Sequence, residues 1–375
     1  MAEGRRLRDL GEVVDCEHKT APPAQPGHEY AYSVGTPALR GADIDFEESK
    51  PVDEDTYRAW SRRAELKRGD VILAREAPVG GVGFVDGTRK VCLGQRTVLV
   101  RANPAVLHSR FLFYALQSPQ VQTWMKDRSS GSTVAHINVS DVRDLPLPLL
   151  PDLPEQRRIA EALAAFDDLV AKNIQLIDSL VEMSDAIYVS STVDGAVSST
   201  VGEIAVFENN KRVPLSVKER LGNPGKYPYY GATGQMDSVG GFLFDGERVL
   251  VGEDGSVVRP DGTAIVQHVT GQYWVNNHAH VLSGGTISTA LLRFVLRNTN
   301  VSTVITGAVQ AKLSMGSLKS VPVLLPASDM VDKRIQTLTA AEVALRREVN
   351  DLRRAREALL PLLLSGRVSV PEVAA

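Results

Sequence analysis

The chain has 375 residues, 43% of them hydrophobic and 23% charged, with a formal net charge of -3. That gives room for two ordinary globular domains with connecting structure. The mildly acidic balance counts against a free-standing nonspecific DNA binder, whose phosphate contacts need a clear positive excess, and leaves open a reader with local basic patches.

From the N-terminus, Arg5 and Arg6 are followed by no apolar run, so the start does not read as a secretory signal. No later stretch has the uninterrupted apolar length a bilayer requires, and the chain is expected in the cytoplasm, without a membrane partner. Cys16 and Cys92 are the only cysteines, too few for a disulfide framework or a zinc cage. Asp53 with Glu65-Leu-Lys67 loosely imitates a nuclease metal site, and we read it instead as a solvated face leading into a strand. Short β-like runs bounded by Gly and Asp follow at Val71-Ile-Leu-Ala74 and Val98-Leu-Val100, then a short helix at 110–117. Arg89, Lys90 and Arg96 form a basic group that could contact phosphates, although most such groups are solvated. Lys126, Arg128 and His136 flank a Ser-Ser-Gly-Ser-Thr loop, where small residues let backbone approach a phosphate.

Pro146, Pro148, Pro151 and Pro154 make an extended lead into a helix. In that helix Ile159, Ala162, Phe166, Leu169, Asn173, Leu176, Leu180, Met183 and Ile187 alternate spacings of three and four. They form a heptad seam of a and d positions with one amide, Asn173, at an a position. A second Gly-rich region follows. It has β-like runs at Val249-Leu-Val251 and Ala264-Ile-Val266, a basic pair at Lys211 and Arg212, and a short helix at 290–296. Asn276 and Asn277 could read bases, since an amide pairs bidentately with adenine, but turn chemistry explains them equally well. His278-Ala-His280 offers two nitrogen ligands on one strand face. No cysteine or third histidine has a suitable spacing, so packing and hydrogen bonding are the expected roles and no metal site is assigned.

The last part of the chain repeats the first. Gly131, Ala135 and Pro146 recur as Gly307, Ala311 and Pro322 at a gapless shift of 176, which also carries His136 onto Lys312. The same shift places Leu338, Leu345, Leu352 and Leu359 on the d positions of a second helix. Its a positions are Ile335, Glu342, Val349 and Arg356, a less apolar row. The chain is therefore expected to be α+β and built twice, with globular segments at 1–153 and 191–329. Long helices are expected at 154–190 and 330–364, with a tail at 365–375.

Leu145-Pro-Leu-Pro-Leu-Leu-Pro-Asp-Leu-Pro-Glu-Gln-Arg-Arg-Ile-Ala160 resembles the central region of type I restriction–modification specificity subunits. Leu66-Lys-Arg-Gly-Asp-Val-Ile-Leu-Ala74, Tyr227-Pro-Tyr-Tyr-Gly-Ala-Thr-Gly234 and Trp274-Val-Asn-Asn-His-Ala-His-Val281 are similar to segments of their target-recognition domains. The second proline lead departs by lacking Leu-Pro-Glu-Gln. The resemblance implies two target-recognition domains, each reading one part of a split double-stranded DNA target, with the two helices pairing as an antiparallel coiled coil that spaces them. It implies two methyltransferase subunits and motor–nuclease subunits as partners. S-adenosylmethionine, ATP and Mg would belong to those partners, with no catalytic residue or cofactor in this chain. A coiled-coil scaffold with two protein-binding lobes, or a metal-dependent nuclease, stand as the alternatives. No Gly-x4-Gly-Lys-Ser/Thr phosphate loop or Asn-Pro-Pro-aromatic motif occurs.

Overall fold

Val71-Ile-Leu-Ala74 contains no polar side chain, so it cannot lie on a sheet with one wet face; both of its faces must be covered. A computed structural model shows how. It describes every residue except 1–4, 40–42, 132–133, 148–149, 194, 256, 308–310 and 372–375. Pro148 and parts of both small-residue loops thus lie outside the described residues. By internal contacts the chain divides into one unit of residues 1–171 with 350–375 and another of 172–349.

In the first unit the strands are β1 (Gly11–Asp15), β2 (Ala31–Val34), β3 (Lys50–Val52), β4 (Val71–Ala74), β5 (Val82–Phe84), β6 (Val91–Leu93) and β7 (Thr97–Ala102). One antiparallel sheet has the order β1-β7-β4-β5; the other is β3-β2-β6, with β6 parallel to β2. Helices α1 (Glu54–Trp60), α2 (Ser109–Gln117), α3 (Pro119–Arg128) and α4 (Val139–Asp144) precede the long α5 (Leu153–Ser191). Period-two alternation splits the buried strand. Val71 and Leu73 face a cluster with Phe111 and Phe113 of α2, and Ile72 and Ala74 face one with Leu93 of β6. Asp53 caps α1 by accepting the Thr56 N–H at 2.8 Å.

The second unit repeats the plan. Its elements are β8 (Val197–Thr200), α6 (Val201–Ile204), β9 (Ala205–Phe207), α7 (Val217–Gly222), β10 (Pro224–Tyr230), β11 (Gln235–Val239) and β12 (Phe244–Asp245). There follow β13 (Arg248–Gly252), β14 (Val266–Val269), β15 (Gln272–Val275), β16 (Ala279–Gly284), α8 (Thr289–Arg297), α9 (Met315–Ser320), β17 (Pro322–Leu325) and α10 (Asp329–Leu364). β13 and β16 take the places of β4 and β7 in the order β14-β13-β16-β9, and β15 runs parallel to β10 as β6 does to β2. The same face-splitting recurs: Val249 and Val251 join α8, while Leu250 joins Val275 and Ala279.

Each unit holds opposite ends of the long helices. Ile159 and Leu163 of α5 share an apolar cluster with Leu360 and Leu363 of α10, and Tyr188 of α5 shares another with Ile335 of α10. The two helices therefore pair antiparallel. The a row faces inward, with Ile159 and Asn173 buried and Phe166 and Leu180 half-buried. On α10, Val349 is buried and Leu338, Leu345 and Leu352 are half-buried.

The d row of α5 corrects the expectation. Leu169, Leu176 and Met183 are 40%, 49% and 52% exposed, and the e positions Leu163, Ile177 and Ser184 are buried in their stead. A two-helix seam would bury a and d. Here each helix also packs against the short helices of its unit, which rotates the buried arc toward e.

Polar residues on the long helices find partners on the short helices and on one another. In the first unit Tyr114 of α2 donates to Asp167 of α5 at 2.7 Å, and Arg356 of α10 donates to the same carboxylate at 3.0 Å. In the second, Arg293 of α8 donates to Glu342 of α10 at 2.6 Å, and Arg346 to its other oxygen at 2.9 Å. Burial raises the Glu342 carboxyl pKa, and the hydrogen bonds and charges of Arg293 and Arg346 outweigh it, so Glu342 ionises below its ordinary range.

Glu342→Leu alone leaves Arg293 buried without its carboxylate and should destabilise the second unit by about 3–5 kcal/mol. Arg293→Met with Glu342→Leu should return stability close to wild type. Hydrogen exchange of α8 amides reads both, and equal loss of protection in the two variants would contradict the pairing. Because the folded-state value is lowered, the pair's contribution is present above the ordinary carboxyl value of 4.5 and fades as pH falls through the lowered one. Wild-type α8 protection should fall there, and the double variant's should fall less.

Candidate functional site

Three segments meet at the end of each central strand. In the first unit they are the residues after β4, the three-residue connection from β6 to β7, and the end of the small-residue loop. Arg75 N–H donates to the Arg96 carbonyl at 2.9 Å, and Ile137 N–H donates to the Arg75 carbonyl at 2.9 Å. Ser130 and His136 exchange backbone bonds of 2.9 Å, and His136 bridges Glu76. In the second unit the same bonds recur at Glu253 to His278 (2.8 Å), Leu313 to Glu253 (2.9 Å) and the Thr306–Lys312 exchange, with Lys312 bridging Asp254. The duplication thus extends from sequence to individual hydrogen bonds.

The side chains keep the arrangement while changing identity. Glu76 pairs with Arg96 at 3.0 Å, and Asp254 pairs with His278 at 3.6 Å and Lys312 at 3.5 Å. Each connection has three residues, 94–96 between β6 and β7 and 276–278 between β15 and β16. In each the first is buried, the second carries an amide (Gln95, Asn277), and the third is an exposed potential cation (Arg96, His278). Gly94 lets the first connection press against β2: a Cβ there would meet Gly35 N and Val34 O at 2.6 Å. Gln95 is held from behind, accepting from the Thr20 hydroxyl at 3.0 Å and donating to the His18 carbonyl at 3.4 Å. Arg96 sits at φ 67°, in the left-handed region that costs a non-glycine residue about 1–2 kcal/mol. His18 (φ 55°) and Ala77 (φ 51°) flank the same locus and are the other non-glycine residues with positive φ among those described.

The sequence candidates separate accordingly. Arg96 and His136 come together around Glu76, and Lys312 meets Asp254 together with His278, the neighbour of Asn277. Asn276 does not belong with them: it is buried, and its side-chain oxygen accepts the His278 N–H at 2.8 Å, the turn role. Arg212 is also corrected, because its guanidinium is turned inward, onto Glu253 at 2.6 Å and the Ala279 carbonyl at 2.7 Å. Lys211 pairs with Glu208, which Arg248 also engages. Arg89 lies over the Phe46 ring at 4.5 Å and Lys90 over Tyr30 at 4.0 Å, a separate basic patch. Arg128 stacks on Trp124 at 5.0 Å, and Lys126 is exposed with no ion pair among the described residues. Sequence reading missed Gln95, Glu76, Asp254 and His278 as members of the site. The three-residue spacing between an apolar run and the next strand was the available signal.

Among the described residues, one group of three metal-ligating side chains lies close together, Asp15, Cys16 and His18. Asp15 is already committed to His18 at 2.8 Å, Arg75 at 3.4 Å and the Cys16 N–H, so the group closes β1 and is not assigned a metal. His278 is exposed, and His280 points into the unit. It is fully buried, with Nε2 2.7 Å from the Leu313 carbonyl and Nδ1 2.8 Å from the Asn209 amide nitrogen, which fixes a neutral ring. No described helix is long and apolar enough to cross a membrane.

A family profile described as type I restriction modification DNA specificity domain matches residues 5–180 and again 194–340. A putative type I restriction enzyme specificity subunit of Haemophilus influenzae is 34% identical over 139 residues, 37% of this chain and 35% of that protein. A type I restriction enzyme specificity subunit of Methanocaldococcus jannaschii aligns over 98% of this chain and 94% of its own length at 21% identity. The crystal structure of a type I restriction–modification S subunit from M. genitalium covers 99% of this chain and 96% of its own, with TM-score 0.59 and 18% identity, and so shares the fold.

Burial holds the His280 pKa below its ordinary value of 6.5. A lowered folded-state value means the neutral ring's stabilisation is complete above about 6.5 and lost as pH falls toward the folded value. An NMR titration should therefore give a midpoint below 6.5, with protection of β13 and β16 amides declining on acidification. A midpoint at or above 6.5 would contradict the buried neutral ring.

Proposed function

The chain belongs to the type I restriction–modification DNA specificity family, and from that membership we propose that it is the subunit that selects the DNA sequence on which the other subunits act. The observation that carries the reading is the twofold occurrence of one loop constellation, with the same backbone bonds and different exposed side chains. A bipartite double-stranded target with unlike halves is what two such readers would recognise.

Two methyltransferase subunits and motor–nuclease subunits would supply the chemistry in the cytoplasm, with S-adenosylmethionine, ATP and Mg held by them. The present chain would make no bond itself. Leu176 and Met183, exposed on α5, give a partner protein an apolar row to cover. The 39 residues of α5 extend about 58 Å at 1.5 Å per residue, ample for half-sites one duplex turn apart, roughly 34–36 Å.

Exchanging residues 1–150 for those of another family member should change one half of the methylated motif and leave the other intact. Methylome sequencing with the partner subunits present tests this, and alteration of both halves would defeat the two-reader assignment. Adding four residues after Leu176 and four to α10 should lengthen the spacer by roughly 6 Å. The gap between half-sites should then widen by about two base pairs at 3.4 Å each, with both half-site sequences unchanged. An unaltered gap in an active complex would mean that the helices do not set it.

A further inference from the structure

The β6–β7 and β15–β16 connections are tied to the fold by main-chain bonds and by the pairs Arg96–Glu76 and His278–Asp254, and they still reach the surface. The buried first residue of each anchors it, through Gly94 against β2 and through the Asn276 side-chain bond. The next two residues, Gln95-Arg96 and Asn277-His278, are presented outward at the same backbone positions. We infer that these two connections are the base-reading tips, one for each half-site, with an amide and a neighbouring cationic or ring nitrogen donor addressing base edges in the groove of duplex DNA. The inference rests on the reading of the chain as a DNA-specificity subunit.

Three observations point the same way. The first is strain. Glycine would occupy φ 67° freely, and an arginine stands there instead. Strained non-glycine positions gather at ligand-binding loops, and Arg96, His18 and Ala77 gather here. The second is preorganisation. Thr20 and the His18 carbonyl fix the Gln95 amide, while Glu76 engages Nη1 of Arg96. Gln95 keeps one N–H and one lone pair for adenine, and the remaining guanidinium edge matches guanine O6 and N7. The third is surroundings. Gln95 and Arg96 line a recess of about 260 Å³ with Thr20, Glu48 and Lys50, which places donors and acceptors around the tip.

Phosphate contact is the competing role for Arg96, and the two roles differ in readout. A phosphate contact changes affinity evenly across sequences; a base contact changes one position. Lysine preserves charge and loses the planar fork, so Arg96→Lys separates them further.

The experiment uses the full chain assembled with its methyltransferase subunits on a library of randomised DNA duplexes, with methylation read by sequencing. Arg96→Gly is the principal variant, because glycine suits the backbone there and the melting temperature should be unchanged or higher. It should lower discrimination at one position of one half-site by roughly ten-fold or more and leave the other half-site unaltered. Arg96→Lys should lose the same position. Asn277→Ala should change only the other half-site. An unchanged motif in the Arg96→Gly and Asn277→Ala complexes, or an even loss across all positions, overturns the inference while leaving the specificity reading intact. A wild-type complex that methylates with no bipartite preference overturns both.

Discussion

The central strand of each unit is buried on both faces, and the rest of the architecture answers to that constraint. An alternating strand with one wet face would need a single layer of cover. β4 and β13 need two, so one face meets the short helix α2 or α8 and the long helices beyond it, while the other closes against a second sheet. The exposed connections sit at the ends of these strands because their hydrogen-bond ladder ends there. Backbone groups released from the ladder at Arg75 and Glu253 bond instead to Arg96, Ile137, His278 and Leu313. The double-sided core thus ends in loops that these main-chain bonds hold in place.

The long helices belong to the same cores and are not separate struts. Their buried arc includes a and e positions, and the carboxylates Asp167 and Glu342 bind groups on α2 and α8. Apolar packing alone tolerates sliding and repacking, whereas an ion pair at low exposure loses its bonds in any other register. The helices are tied by these bonds to the domains they follow. Asn173 is buried at an a position, with no hydrogen-bond partner for its side-chain nitrogen among the described residues. Such an amide disfavours registers that press it deeper into hydrocarbon.

This arrangement separates two requirements of a sequence reader. The constant part is main-chain bonding and apolar packing, the same in both units. The part that differs between the units is a few side chains, half-buried Gln95 and exposed Arg96 in one and exposed Asn277 and His278 in the other. On the reading proposed above, a target's identity would change without disturbing the core, since neither connection supplies apolar mass to it.

Much of this was legible in the sequence, because it depends on local pattern. The gapless repeat, the proline lead and the three-four spacing of apolar residues declare two copies of a domain and helix. Arg96 stood out as part of a basic group, Asn277 as a base-reading or turn amide, and His136 and Lys312 as flanks of the small-residue loops. Tertiary structure alone decided which helix face was buried, because that depends on what else packs there. Leu169 and Leu176 fit a heptad as well as Leu163 and Ile177 do, and only the folded packing shows that the latter pair is buried. It also decided that Arg212 and Asn276 bond inward, while Glu76 pairs with Arg96 and Asp254 with His278 and Lys312. Period and spacing say which residues share a face of one element. Which charge meets which is set by segments far apart in the chain, such as Arg293 and Glu342, and no local pattern encodes their meeting.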